Sequence, residues 1–366
     1  MQELVALSRT GSAFVESLEQ IWERGDAVLP IDPRLPSPAR EQLLSAMAPT
    51  RLIDGDGVEH RRNGRPVETG DALVIATSGS SGIPKGVVHT HASLRASAES
   101  TSLALGVDMG TDSWLCCLPL THIAGIAIVV RAKAYGVPLV VLDQFDASSV
   151  EEAARQGATL TSLVPATLLR IDPSLFRSII VGGQAVPADL PSNCRASYGM
   201  TETGSAVVFD GEILPGVELQ IEHGEIQVRG DMLLRCYRDG TDPRSAGGWF
   251  PTNDAGELVD GRLVVHGRRG DLIISGGENI WPSPIEEVLG AMKAIKEVAI
   301  IGRPDSEWGQ VVTAIIAPVD PLNLPRLDQI REHVKSSLPA YCAPHRIEFV
   351  DQLPRTPLGK VERKSL

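Results

Sequence analysis

Asp71–Gly86 reads DALVIATSGSSGIPKG: an apolar run, then three glycines, three serines, a threonine, a proline and a lysine among the residues from Thr77 onward. A run of about 4–8 apolar residues bounded by turn residues reads as a buried strand. The loop Thr77–Gly86 therefore leaves the carboxyl end of that strand, where open α/β sheets bind their ligands. Glycines let a ligand approach the backbone, and clustered N–H and hydroxyl groups make a nest for phosphate oxygens. Two familiar loops do not fit. A Walker loop needs G-x-x-x-x-G-K-[ST], but counted from Gly79 the second glycine falls on Pro84, and Lys85 is followed by Gly86. A nucleophile elbow, G-x-S-x-G, fails at Ile83. Taken alone, the segment reads equally well as a flexible surface loop, so the rest of the chain must decide.

The chain has 366 residues, enough for one large domain and a smaller one. Hydrophobic residues make up 43%, which supports a substantial core. The net charge is −12, from 34 Lys and Arg against 46 Asp and Glu, and this excludes a general nucleic-acid binder. The five cysteines (Cys116, Cys117, Cys194, Cys236 and Cys342) form no C-x-x-C pair. That pattern suits reduced thiols in a cytoplasm better than a disulfide framework or a zinc site. The N-terminal residues lack a basic start followed by an apolar stretch, and the apolar run IAGIAIVV is cut by Arg131 and Lys133. The expectation is a cytoplasmic protein without membrane insertion.

From Asp71 to about Thr201, short apolar runs alternate with helix-like segments. ALVIA, WLCCLPL, VPLVVLD, TLTSLV and SIIVGG read as strands, and HASLRASAESTSLAL, IAGIAIVVRAKAYG and SVEEAARQG as helices. Such alternation predicts an α/β fold with a largely parallel sheet. The preceding 70 residues, rich in Pro and Arg, read as a helix followed by loop. After Thr201, VELQIEHGEIQVRG and GELVDGRLVVHG alternate with period two around His-Gly and Asp-Gly, which predicts antiparallel hairpins. A second, smaller α/β stretch follows Gly270. We place the boundary near Arg268–Asp271, giving a β-rich end to a large domain, 1–269, and a small α+β domain, 270–366.

Four further stretches decide the loop. LPLTHIAG (Leu118–Gly125), YGMTETG (Tyr198–Gly204), GRRGDLIISGGENIWP (Gly267–Pro282) and PRTPLGKVERKSL (Pro354–Leu366) follow TSGSSGIPKG in order. Together they resemble the motifs of the adenylate-forming enzymes: acyl-CoA synthetases, peptide-synthetase adenylation domains and luciferases. The resemblance covers roughly residues 71–366. It implies that a carboxylic acid attacks the α-phosphate of ATP, and that a thiol, usually that of coenzyme A, then displaces AMP.

It also implies roles. Thr77, Ser78, Gly79, Ser80, Ser81 and Lys85 would hold the β- and γ-phosphates. Glu202 would bind Mg²⁺, with Thr201 meeting the α-phosphate. Gly182, Gly183, Gln184 and Ala185 look like the adenine-side segment, and Tyr198 and Gly199 belong to the same ATP site. Asp254 and Arg268 would contact the ribose, although Asn253 stands where a glycine commonly precedes the acid. Lys360 looks like the adenylation lysine. The smaller domain of such enzymes rotates between half-reactions, the hinge falling on Gly270, where Asp or Lys is more usual. Rotation would bring Gly276 and Gly277 to the path of the thiol.

His122 matches the mouth of the acyl pocket, with a structural histidine as the rival reading, and Gly125 would leave room for a ring. LPLTHIAG, IVVRAKAYG and the short N-terminal region look most like the compact o-succinylbenzoate–CoA ligases of menaquinone biosynthesis. That substrate carries a second carboxylate, for which Arg131 and Arg95 are candidates unless they are surface arginines. Another aryl or medium-chain acid, a catalytically silent nucleotide-binding protein, and a homodimer all stay open.

Overall fold

The computed structural model describes residues 2–77, 84–183, 186, 187, 189–355 and 361–366. By its internal contacts the chain divides into two compact units, Met1–Leu219 with Val228–Phe250, and Gln220–Gln227 with Pro251–Leu366.

The first unit holds two seven-stranded sheets. One runs Cys236–Tyr237, Lys85–Thr90, Asp71–Thr77, Ala27–Pro30, Leu4–Leu7, Arg51–Ile53, Glu59–Arg61. The other runs Glu212–Ile213, Ser205–Phe209, Cys194–Met200, Ser178–Val181, Leu160–Leu163, Trp114–Cys116, Leu139–Val141. From Cys194–Met200 through Leu139–Val141 this second sheet is parallel, and its antiparallel edge begins at Ser205–Phe209. Helices His91–Leu105 and Ile123–Tyr135 bury apolar residues, including Leu94, Ala98, Ile126 and Val129, in a core shared with Trp114 and Leu160.

The helix-then-loop reading of the first 70 residues is corrected. Helix Gly11–Glu23 is present, but Leu4–Leu7, Ala27–Pro30 and Arg51–Ile53 are strands of the first sheet. Leu4–Leu7 and Ala27–Pro30 are buried at every position, so they lack the alternation that marks a half-exposed strand. The strand Lys85–Thr90 was not anticipated either. It pairs antiparallel with Asp71–Thr77, with Thr77 opposite Lys85.

In the second unit, strands Phe250–Val259 and Arg262–Arg268 form an antiparallel hairpin. A five-stranded sheet contains Glu278–Ile280, Ile273–Ser275, Gly309–Pro318, Ile295–Asp305 and Arg346–Phe349. Helices Pro282–Gly290 and Leu327–Lys335 supply Ile285, Leu289, Ile330 and Val334 to its core. Among the described residues no helix is long and apolar enough to cross a membrane.

Candidate active site

In the first unit, Gly182, Gly183, Tyr198, Gly199, Thr201 and Glu202 lie at or just beyond the carboxyl ends of parallel strands. Ser178–Val181 pairs with Cys194–Met200, Val181 opposite Ala196, so Gly182 and Gly183 follow on beside Ser197 and Tyr198. Gly199 lies at a register shift where Cys194–Met200 meets Ser205–Phe209. Trp114–Cys116 points the same way, and the chain beyond it reaches His122, the residue capping helix Ile123–Tyr135. His122 is half-buried, and its carbonyl accepts bonds from Gly125 N and Ile126 N.

The segment after Cys194–Met200 turns through a short 3₁₀ helix, Thr201–Thr203. Met200 N donates to Thr203 Oγ1 over 3.0 Å, which closes the turn. His89 Nε2 donates to the Thr201 carbonyl over 2.7 Å, and Leu234 N to the Glu202 carbonyl over 2.8 Å. The backbone of Thr201 and Glu202 is thus held from two sides. The Glu202 carboxylate accepts the Tyr237 hydroxyl proton at 3.2 Å, and Lys85 Nζ lies 5.0 Å from the centroid of the same tyrosine ring. Thr77 Oγ1 donates to the Lys85 carbonyl over 3.3 Å. Thr77, Lys85, Tyr237 and Glu202 therefore form one connected group. Beside it an open cleft of about 600 Å³ is bordered by Met47, Arg65, Gly86 and Arg238.

His89 and Tyr237 escaped the sequence reading. Both act through partners more than thirty residues away, and neither stands in a spacing that marks a site. His89 is fully buried, and burial pushes its imidazole down to about 4. The neutral ring carries its proton on Nε2, because the Thr201 carbonyl can only accept, and Nδ1 faces Ser93 Oγ at 3.1 Å.

Arg131 is 1% exposed, so the surface reading of this arginine is overturned. Its Nη2 donates to Ser205 Oγ at 2.5 Å and reaches Thr101 Oγ1 at 3.4 Å. Its guanidinium lies over Trp114, 5.6 Å from the ring centroid, and Nε has no partner among the described residues. Burial pushes Arg131 down to about 9. Arg95, in contrast, is an exposed arginine paired with Glu99 one helical turn away, and it leaves the list of pocket candidates. At Gly125 a Cβ would stand 2.5 Å from the Pro119 carbonyl oxygen. Close packing of the helix start on Leu118–Pro119 therefore requires the glycine, and the space is filled by backbone.

In the second unit, Asp254 stands opposite Arg268 across the hairpin, with Arg268 Nε 3.0 Å from Asp254 Oδ1. Arg268 Nη1 also donates to the Thr252 carbonyl over 2.9 Å. Asn253 adopts φ +58°, in the left-handed region that glycine and asparagine accept most easily. Asparagine therefore meets the backbone demand at this position. Gly276 and Gly277, at φ +57° and +88°, make the tight turn between Ile273–Ser275 and Glu278–Ile280. Two consecutive positive φ angles are what a type I′ two-residue hairpin turn requires. Gly270 is in ordinary backbone conformation, and a Cβ there would meet nothing within 4 Å.

Ser78, Gly79, Ser80, Ser81, Gln184, Ala185 and Lys360 lie outside the described residues. Among the described residues no three His, Cys, Asp or Glu side chains gather as a metal cage. The half-buried Glu202 carboxylate suits the alternative Mg²⁺ arrangement, one protein carboxylate completed by substrate phosphates.

The family model for AMP-binding enzymes matches residues 54–280, and that for the AMP-binding enzyme C-terminal domain matches residues 284–360. A 2-succinylbenzoate–CoA ligase of Listeria monocytogenes is 35% identical over 327 residues, covering 81% of this chain and 69% of its own. A probable 2-succinylbenzoate–CoA ligase of Mycobacterium tuberculosis is 36% identical over 332 residues, covering 83% and 86%. The o-succinylbenzoate CoA synthetase of Bacillus subtilis, solved with its acyl-adenylate intermediate, superposes with a TM-score of 0.88 at 28% identity, over 99% of this chain and 87% of that one. Its complex with ATP and magnesium ion gives 0.88 at 27% identity, over 100% and 89%. Both the motifs and these matches extend across most of the sequence, and the chain belongs to the AMP-binding enzyme family.

Proposed function

We propose that this protein is an AMP-forming carboxylic acid–CoA ligase that activates o-succinylbenzoate. The observation that carries the reaction class is the group Thr77–Lys85–Tyr237–Glu202, which sets a carboxylate, a cation and hydroxyl groups together where strand Asp71–Thr77 ends and strand Lys85–Thr90 begins. The substrate reading is supported by relatives at 35% and 36% identity that are named for this acid.

In the first half-reaction an oxygen of the acid bonds to the α-phosphorus of ATP as the bond to pyrophosphate breaks. Thr77, Ser78, Gly79, Ser80 and Ser81 donate to the β- and γ-phosphates, and Lys85 adds positive charge beside them. Magnesium, when bound, neutralises phosphate charge through Glu202. Gly182, Gly183, Gln184, Tyr198 and Gly199 receive the adenine side, and Asp254 and Arg268 the ribose. Thr201 meets the α-phosphate. Lys360 bridges the attacking carboxylate and the α-phosphate, where charge develops.

In the second half-reaction the sulfur of coenzyme A bonds to the acyl carbon and AMP departs. A hinge at Gly270, between domains 1–269 and 270–366, exchanges Lys360 for the Gly276–Gly277 turn. His122 stands at the mouth of the acyl pocket, and Gly125 lets the start of its helix pack on Pro119. Arg131 answers the second carboxylate: a buried guanidinium without an acidic partner among the described residues is electrostatically suited to an anionic substrate. The setting is the cytoplasm and menaquinone synthesis, and a homodimer is compatible with it.

The test is pyrophosphate release with ATP, Mg²⁺ and o-succinylbenzoate, compared between the natural protein and Lys360→Ala. Release that depends on the acid and is nearly abolished in the variant is expected. Wild-type release from the variant overturns the role of Lys360.

A further inference from the structure

The residues flanking Thr356–Lys360 are tied down on both sides. Before the segment, Leu353 is buried, and its N–H points to Glu297 Oε2 at 3.4 Å. Arg355 pairs with the same glutamate. After it, Val361 forms an antiparallel bridge with Arg355, and Glu362 N donates to the Pro354 carbonyl over 2.8 Å. Val361 and Leu366 pack on Ala299, Ile315 and Leu353.

Arg363, three residues beyond Lys360, extends this anchorage to the hinge. Its Nε lies 3.0 Å from Asp271 Oδ2, and its Nη2 2.7 Å from Glu286 Oε2. Asp271 is the residue after Gly270. On the other side of Gly270, Arg269 Nη1 holds Glu225 Oε2 at 2.8 Å. The hinge glycine is therefore flanked by two tethered side chains, one of them tied to the tail. Glu286 is mostly buried: burial pushes its carboxyl up, while Arg363 and the bond from Ile300 N at 2.7 Å act against that. One guanidinium thus joins the tail, the residue next to the hinge and helix Pro282–Gly290.

We propose that Arg363 is a positioning residue, whose clamp on Asp271 and Glu286 fixes the base of the Lys360 segment to the hinge-side backbone, so that adenylation depends on it and thioester formation does not. The proposal rests on the reading of Lys360 as the adenylation lysine. Three residues of extended chain span at most about 10 Å, so the Arg363 clamp acts within that reach of Lys360 and adds to the anchorage that Val361 and Glu362 supply. Displacement by about 1 Å at a distance from the chemistry costs up to roughly 100-fold in rate.

The test measures the two half-reactions separately in full-length protein. Pyrophosphate release from ATP and o-succinylbenzoate without coenzyme A reports adenylation. Thioester formation from supplied o-succinylbenzoyl-adenylate and coenzyme A reports the second step. For Arg363→Ala we expect adenylation to fall roughly 10- to 100-fold, with thioester formation within about twofold of the natural protein. Arg363→Lys should recover part of the loss, since it restores charge but not the two-pronged geometry.

Equal loss in both steps, or wild-type adenylation, overturns the proposal. Should Arg363→Ala fail to fold, Asp271→Ala is read in the same assays with the same split expected, because it leaves Glu286 paired. Lys360→Ala separates the layers. If it adenylates normally, the reading of Lys360 fails and the proposal with it. If it is inactive while Arg363→Ala adenylates normally, the positioning role alone fails.

Discussion

His89 Nε2 donates to the carbonyl oxygen of Thr201 over 2.7 Å, and so a fully buried side chain from strand Lys85–Thr90 supports the turn that presents Glu202. Replacing His89 by Ala removes that donor and opens a cavity, at an expected cost of about 1–3 kcal/mol. The apparent KM for MgATP should rise with it. His89→Gln, whose amide nitrogen can take the place of Nε2, should recover most of both losses. Urea unfolding and initial-rate kinetics on the two variants check this.

The same histidine sets an acid limit. Burial holds it near 4 against an ordinary value of 6.5, so between those values the unfolded chain takes a proton that the folded chain refuses. Its contribution is fully present above about pH 6.5 and is lost as pH falls through 4. Relative to His89→Gln, the natural protein should lose about 2–3 kcal/mol of stability between pH 7 and pH 4.5. A constant stability gap between the two proteins over that range contradicts the assignment.

Much of the first unit was legible because its helices and inner strands have the right texture. HASLRASAESTSLAL became helix His91–Leu105, and SIIVGG contains strand Ser178–Val181. The N-terminal strands were not legible: four buried residues in a row carry no period, and their partners lie far along the chain. Candidate residues emerged where a motif kept them adjacent, as in Thr201–Glu202. Tyr237 and His89 are joined to that turn only by folding, and the burial of Arg131 depends on Trp114, Thr101 and Ser205 from three other elements.

Arg131→Met tests the buried cation. An apolar side chain of similar length removes from the core a charge that has no acidic partner among the described residues, so stability should be unchanged or higher. The KM for o-succinylbenzoate should nevertheless rise by roughly 30-fold or more, the loss expected when a buried charge pair is truncated. The KM for ATP should stay within about twofold. Thermal melts and kinetics with each substrate varied in turn distinguish this from simple misfolding.

Asn253 and Gly270 make opposite demands. At Asn253, φ is +58°, so Asn253→Gly should be tolerated and Asn253→Val should destabilise by about 1–2 kcal/mol. At Gly270 a Cβ meets nothing, so Gly270→Ala should leave stability intact. Gly270→Pro should impair thioester formation more than adenylation, because it limits the backbone change a hinge must absorb. Equal loss in both half-reactions counts against a hinge there.

The most direct measurement incubates the purified protein with ATP, Mg²⁺, coenzyme A and a panel of carboxylic acids, and identifies products by mass spectrometry. The account predicts AMP, pyrophosphate and o-succinylbenzoyl-CoA, with o-succinylbenzoate the strongest substrate of the panel. A different acid as the strongest substrate would contradict the substrate assignment while keeping the ligase chemistry. Absence of adenylate and thioester with every acid, o-succinylbenzoate included, would contradict the account as a whole.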